Sequence, residues 1–166
     1  MFANLEKVMG GTAEKLSNNK VLIAIRDGFL VTTPLIIVAS FFILAGNFPI
    51  EGYTDFMAQF FGQGWENHMD AVIDSTFSVI ALSGAIGIGY AYARQLESDP
   101  IAGAAISVVC FLILTPKSHP AFTNEAGKVF NGLANTNMGS AGMFVAMITA
   151  IVSVRIFVAI ERKGWV

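Results

Sequence analysis

Charged residues are scarce in this sequence. Only 13% of its 166 residues are Asp, Glu, Lys or Arg, whereas 54% are hydrophobic and the mean hydropathy is +0.62. Because soluble domains carry about a quarter charged residues, this composition excludes an ordinary water-soluble globule. The 10 basic and 12 acidic residues nearly balance, so the chain has no basic face for nucleic acid and no acidic tail.

Motifs that carry chemistry are also missing. Cys110 is the one cysteine, so it has neither a disulfide partner nor a CxxC neighbour, and its apolar surroundings predict a small packed residue inside a helix. There is no HExxH, Walker or GxSxG motif. Gly87-x-Gly89 is part of a nucleotide-loop pattern, but no strand precedes it and no lysine follows. His68 and His119 have no second ligand at metal spacing. We assign no catalytic, cofactor-binding or metal-binding residue.

What the sequence does have is long apolar stretches. About 20 apolar residues cross a hydrocarbon layer of roughly 30 Å, and the chain has room for four such spans. We predict an all-α polytopic membrane protein with a four-helix transmembrane region over 21–166. The spans lie at about 24–46, 71–93, 100–116 and 139–160.

Local signals refine these spans. Pro34 removes a backbone donor and should kink the first span, a defect that membrane helices tolerate. Asp99 can cap the third span and Pro100 suits its first helical position.

The segments outside the spans are polar or amphipathic. Residues 1–20 predict an amphipathic helix lying on the membrane surface, and they lack the continuous apolar region of a cleavable signal peptide. The connection over 47–70 combines acidic and aromatic residues and should hold a short half-buried helix between Thr54 and Phe61. The turn-rich segment from Lys117 to Met138 predicts a loop.

Small residues recur every four positions in the later spans. They are Ala81, Ala85, Gly89 and Ala93 in the second span, Gly103 and Ser107 in the third, and Gly142, Ala146 and Ala150 in the fourth. This spacing places each set on one helix face, so that another helix can approach closely. We expect these faces to serve packing rather than chemistry.

The basic residues predict the orientation. With the N-terminus inside, eight of the ten Lys and Arg residues fall on the inner side, and the outer connections hold only Lys117 and Lys128. This bias places both termini in the cytoplasm. Near the apolar stretches, Asp27 and Asp74 sit at predicted helix starts, where a carboxylate complements the helix dipole; a proton or cation relay through either is the alternative. Arg155 lies close enough to a span end to snorkel outward.

Three segments, taken in order, resemble a known family. Residues 24–40 with Asn47-Phe-Pro are similar to the first membrane helix of the IIC components of the lactose/cellobiose/diacetylchitobiose sugar phosphotransferase systems. Residues 99–103 with 111–116 resemble the third helix of that family. Residues 138–146 with 151–154 resemble the fourth, although Arg155 stands where an acidic residue is expected.

The resemblance implies a function that composition does not. Members of that family are homodimeric permeases of about ten helices in the bacterial plasma membrane. They take up a disaccharide, which a cytoplasmic IIB protein, supplied by IIA, phosphorylates. This chain matches only the N-terminal half, which implies scaffold and dimer contacts, and the sugar-binding residues are expected beyond it. No catalytic residue is carried over to this chain, and enzymatic activity is left open.

Three functional interpretations remain. The first is a partial sugar-permease component, which takes part in uptake of a disaccharide or β-glucoside. The second is a non-transporting membrane scaffold or dimerisation module. A stand-alone channel would need a line of polar residues facing a pore, and Asp74, Ser78, Ser83 and Arg94 hardly form one.

Overall fold

The computed structural model describes residues 17–123 and 129–164. Most of the predicted interfacial helix over 1–20 lies outside the described residues. The α-helices are α1 (Lys20–Leu30), α2 (Thr33–Gly46), α3 (Tyr53–Phe61), α4 (Glu66–Phe77), α5 (Ile80–Gln95), α6 (Pro100–Leu114), the single-turn α7 (Asn135–Met138) and α8 (Met143–Glu161), which follows a 3-10 turn over Ser140–Gly142. The predicted all-α class is confirmed.

The first predicted span consists of two helices. The Val31 and Thr32 amides bond back to the Gly28 and Phe29 carbonyls at 3.2 and 3.0 Å, which closes α1 with tight turns. Pro34 then lies in the first turn of α2. Because proline has no N–H to donate to the preceding turn, the helix ends and restarts here. The predicted kink is a complete break in the helix.

The second predicted span starts earlier than expected and is also interrupted. α4 begins at Glu66, so His68 is an exposed helical residue rather than a loop residue, and Asp74 lies inside the helix rather than at its start. Ser75 and Thr76 hydroxyls donate to carbonyls of the preceding turn at 2.6–3.0 Å. Such side-chain bonds compete with the helical ladder and bend helices, and here α4 ends one residue later.

Two other helices, α6 and α3, follow the sequence signals. The Asp99 carboxylate accepts a hydrogen bond from the Ile101 amide at 2.9 Å, so the predicted cap of α6 is confirmed. α3 covers Tyr53–Phe61 and has no buried residue, which agrees with the short helix predicted between Thr54 and Phe61.

The segment between α6 and α7 differs from its prediction. Strands β1 (Ser118–Thr123) and β2 (Val129–Asn131) pair antiparallel, with Ser118 opposite Asn131. The loop predicted over Lys117–Met138 is therefore wrong in part. The pairing is made by backbone groups, and the Asn-rich composition of this segment is typical of turns, so side-chain patterning gave no strand signal.

Helix α5 is the centre of the bundle. α1, α6 and α8 all pack against it, and α6 and α8 also pack against each other. α2 packs against α4 instead, beyond the two helix breaks. In the described residues, three helical stretches are long and apolar enough to cross a membrane: Lys20–Gly46, Glu66–Gln95 and Ser140–Glu161. Pro100–Leu114 is a shorter apolar helix.

Candidate functional site

The predicted small-residue faces all lie inside the bundle. Ala81, Ala85, Gly89 and Ala93, which we call the α5 small-residue face, are fully buried or nearly so. So are the matching residues of α6 and of α8 with its preceding turn: Gly103, Ser107, Gly142, Ala146 and Ala150. The prediction that these residues serve close helix packing is confirmed.

The closest helix contact joins α5 to α6. A Cβ added to Gly89 would lie 2.7 Å from Ser107 Cβ and 2.8 Å from the Gly103 carbonyl oxygen. The Ser107 hydroxyl donates to that same carbonyl at 2.8 Å, so the buried hydroxyl has its hydrogen bond within α6. The close contact thus buries the Ser107 hydroxyl without leaving it short of a hydrogen-bond partner.

A second close contact joins α5 to α1 and was not predicted. A Cβ added to Gly28 would lie 2.5 Å from the Ile88 backbone, and one added to Gly87 would lie 3.0 Å from Val31 Cβ. The Gly87-x-Gly89 pattern, rejected as a nucleotide loop, therefore has a packing role on two faces of α5. The sequence showed both glycines, but Gly28 and Gly87 lie on different helices. No four-residue repeat within one helix could therefore indicate that they meet.

Hydrogen bonds tie the α5–α6 turn to the end of α8. The Ser98 hydroxyl donates to a Glu161 carboxylate oxygen at 2.5 Å, and the Arg162 guanidinium donates to the Leu96 carbonyl at 2.9 Å. Glu97, between them, has φ of 59°, the left-handed conformation that commonly ends a helix. These contacts place the end of α5, the start of α6 and the end of α8 at one end of the bundle.

Arg155 has a partner that the sequence did not reveal. Arg155 is exposed at the bundle surface, and its guanidinium donates a hydrogen bond to the Tyr92 hydroxyl at 3.2 Å. Tyr92 is only 1% exposed, so its hydroxyl depends on this contact. The residue predicted to snorkel from α8 thus also holds α8 to α5.

Aromatic residues join α2, α3 and α4. The Tyr53 hydroxyl donates to the Ala45 carbonyl at 2.8 Å, and the Tyr53 ring meets the Trp65 ring edge to face at 5.9 Å. Trp65 is 2% exposed, and its indole N–H has no acceptor among the described residues. The aromatic residues predicted for the headgroup region therefore include a buried group that fixes the α2–α4 pair.

An open cleft of about 340 Å3 lies at the other end of the bundle, where α4 gives way to α5 and where α8 begins. Neutral side chains line it: Phe77, Ser78, Asn135, Thr136 and Ser140. Hydroxyl and amide groups beside an aromatic ring can bind a neutral polar molecule by hydrogen bonds, and nothing in this lining would attract an ion.

An apolar groove of about 330 Å3 lies on the surface between α6 and α8. Cys110, half-buried in the middle of α6, lies on its wall with Ile113, Ile148 and Ile156. The thiol is thus in a helix, as predicted, and its surroundings are apolar. Among the described residues no group of three or more His, Cys, Asp or Glu side chains could hold a metal ion.

Comparison with known proteins decides the family. The family model described as "Phosphotransferase system, EIIC" matches residues 26–165. This chain belongs to the EIIC family. In this chain, the segment Asp99–Gly103, which carried part of the resemblance, supplies both the cap of α6 and the glycine that contacts α5.

The similar curated EIIC proteins include one named for lichenan and one named for cellobiose. The lichenan permease IIC component of Bacillus subtilis (strain 168) is 41% identical over 164 residues, which are 97% of this chain and 36% of that protein. The cellobiose-specific EIIC component of Geobacillus stearothermophilus is 38% identical over 164 residues, 96% of this chain and 36% of that protein. The chain therefore spans 36% of the length of these relatives.

A solved structure has the same fold over nearly the whole chain. The crystal structure of the transporter ChbC, the IIC component from an N,N'-diacetylchitobiose-specific phosphotransferase system, superposes with a TM-score of 0.89 at 35% sequence identity. The match covers 98% of this chain and 38% of that one. The helix arrangement around α5 is thus an EIIC arrangement.

Proposed function

We propose that this chain is the membrane component, in part, of a sugar permease of the phosphotransferase system. In this proposal it takes part in uptake of a disaccharide or β-glucoside that a cytoplasmic IIB protein, supplied by IIA, phosphorylates. The observation that carries the proposal is the EIIC match over residues 26–165. Because the chain spans 36% of the relatives, uptake requires the rest of a permease as well.

The chain's own part in that permease is a scaffold. Glycine and alanine contacts bring α1, α6 and α8 onto α5, and close packing of this kind leaves little freedom to slide. A rigid scaffold supports a moving or substrate-binding part without taking part in chemistry.

We also propose four spans with both termini in the cytoplasm of a bacterial cell. Three long apolar helices and the shorter α6 supply the spans. The bonds from Ser98 to Glu161 and from Arg162 to Leu96 support the arrangement, because they require the α5–α6 turn and the end of α8 to share one side. That side carries most of the basic residues.

Single cysteines test this orientation. In a Cys110→Ala background, we expect a membrane-impermeant maleimide to label Gln63→Cys in intact cells. Asn18→Cys and Lys163→Cys, which are exposed at the other side, should react only after the membrane is opened. Labelling of Asn18→Cys in intact cells would contradict the proposal.

The neutral cleft beside Phe77 lies, in this orientation, at the outer end of the bundle. Its uncharged hydroxyl and amide groups suit the surface that an incoming sugar meets first.

The exposed isoleucines of the α6–α8 groove suit a contact with a further membrane segment, either in a homodimer or in the rest of the permease.

A non-transporting scaffold or dimerisation module is the second candidate. The packing contacts favour it equally, since they carry no chemistry. Uptake separates the two. Cells that supply the remaining permease segment, IIA and IIB should take up cellobiose when this chain is added, whereas a module that does not take part in transport would leave uptake unchanged.

A further inference from the structure

A charged cleft lies between α1 and α5, at the end of the bundle that holds the α5–α6 turn. Its volume is about 320 Å3, and its lining combines Asp27 of α1 and Val31 just after α1 with Tyr90, Arg94 and Gln95 of α5. An anion-binding group, a cation-binding group and two neutral hydrogen-bonding groups therefore face one space.

Asp27 forms an ion pair with Arg26, but one of its carboxylate oxygens has no hydrogen bond in the described part of the chain. Both contacts of the Arg26 guanidinium to Asp27 are made to Oδ1, at 2.8 and 2.9 Å, so Oδ2 is left for another donor. The Arg94 guanidinium has no hydrogen bond or ion pair with any side chain or carbonyl in the described part of the chain. A guanidinium with free donors is the side chain best suited to bind a phosphate group.

The surface next to the cleft becomes apolar away from the charged end. Arg94, Tyr90 and Ile86 are spaced four residues apart on α5, so they lie on one helix face, and Tyr90 and Ile86 are 45% and 41% exposed. Val31, the residue that follows the end of α1, lies four positions after Asp27 and is 48% exposed. Starting from the end of the bundle that holds the α5–α6 turn, this surface thus presents charged groups first, then the amphipathic ring of Tyr90, and then the aliphatic side chains of Ile86 and Val31.

This order matches one class of ligand. A phospholipid has a charged headgroup above an apolar tail, and basic pockets between membrane helices bind the phosphate groups of lipid headgroups. We propose that the α1–α5 cleft binds a zwitterionic phospholipid of the ethanolamine type. Arg94 binds the phosphate, Asp27 accepts from the ammonium group, and one acyl chain lies along Tyr90, Ile86 and Val31. The proposal needs these helices to lie in a membrane and does not depend on sugar transport.

The test measures lipids retained by the purified 166-residue chain in native mass spectrometry from mixed micelles. We expect phosphatidylethanolamine to be retained at least tenfold better than diacylglycerol, which has tails but no phosphate. Arg94→Gln should abolish this difference, and Arg94→Lys should restore part of it. Lys117→Gln, which removes an exposed charge far from the cleft, should leave it unchanged. Equal retention by the wild-type chain and Arg94→Gln overturns the proposal.

Asp27 and the tails are tested separately. Asp27→Asn should remove the preference for phosphatidylethanolamine over phosphatidylglycerol, because the latter has no ammonium group. A preference that survives this change contradicts the role of Asp27. Free glycerophosphoethanolamine should compete at least a hundredfold more weakly than the lipid, and equal competition would identify a site for a soluble phosphate compound instead. Circular dichroism of each variant checks that the helices are intact.

Discussion

Gly89 and Gly103 contact each other backbone to backbone: a Cβ added to either glycine would lie 2.8 Å from the carbonyl oxygen of the other. Neither glycine has a side chain that would hold α5 and α6 apart at this point, so the two backbones come close together. The neighbouring atoms are these carbonyl oxygens together with Ser107 Cβ and Ala93 Cβ, and none of them is the far end of a long flexible side chain, so the structure has little means of making room here.

The first prediction concerns that contact. Gly89→Ala should destabilise the bundle by about 2 kcal/mol, because overpacking a well-packed interior forces backbone shifts. Gly89→Leu and Ala85→Leu should do so more strongly. The measurement is thermal unfolding in detergent.

Two changes serve as controls for Gly89→Ala. Gly46→Ala places its Cβ 3.5 Å from Met69 Cβ, an ordinary van der Waals distance, and should have little effect. Val79→Leu, at the break before α5, should also be nearly neutral. Equal melting temperatures for Gly89→Ala and Gly46→Ala would show that the α5–α6 contact is not tight.

The second prediction concerns the turn after α5. Glu97 adopts φ of 59°, a conformation that glycine reaches without a steric penalty. Glu97→Gly should therefore stabilise the chain by about 0.5–1 kcal/mol, despite the greater flexibility of glycine in the unfolded state. Glu97→Ala, which keeps a Cβ, is the matched control and should gain nothing. A lower melting temperature for Glu97→Gly would mean that the Glu97 side chain itself is needed.

The third prediction uses the contact between Arg155 and Tyr92. Arg155→Met should cost about 1–3 kcal/mol, because it leaves the buried tyrosine hydroxyl without its donor. Tyr92→Phe should cost less, since the exposed guanidinium can return to water. Chemical unfolding of the two variants and the double variant gives the comparison. A larger cost for Tyr92→Phe than for Arg155→Met would contradict this account.

The fourth prediction concerns the bond between Ser98 and Glu161, which joins residues 63 positions apart in sequence. Ser98→Ala and Glu161→Gln should each destabilise the chain, and the double variant should lose less than their sum. We expect a coupling energy of about 1 kcal/mol, typical of a partly exposed hydrogen bond to a charged group. Additive effects would show that the two side chains do not interact in solution.

The sequence predicted the parts of this structure that depend on repeats along one helix. The spacing of Ala81, Ala85 and Gly89 identified the packing face of α5, and Asp99 with Pro100 identified the start of α6. Both signals are reliable because the geometry of a single helix determines which residues share a face and which residues can cap the free amide groups at its start.

The missed features depend on contacts between separate elements. Gly28 and Gly87 meet because α1 crosses α5, and Tyr92 meets Arg155 because α8 lies beside α5. No periodicity within one segment encodes such a pairing. The break after Phe77 was missed for another reason: Ser75 and Thr76 are tolerated in many continuous helices, and their effect depends on local competition with the backbone.

The central claim is that this chain is a working part of a sugar permease. Its most direct test is formation of cellobiose phosphate in membrane vesicles that contain this chain and the remaining segment of the cellobiose-specific relative, supplied with IIB and with IIA that has been phosphorylated beforehand, so that the phosphoryl group passes from IIA to IIB and then to the sugar. We predict that sugar phosphate forms only when both membrane segments are present. The claim would be contradicted if the same amount of sugar phosphate formed without this chain. It would also be contradicted if no sugar phosphate formed although both segments are inserted in the membrane and co-purify.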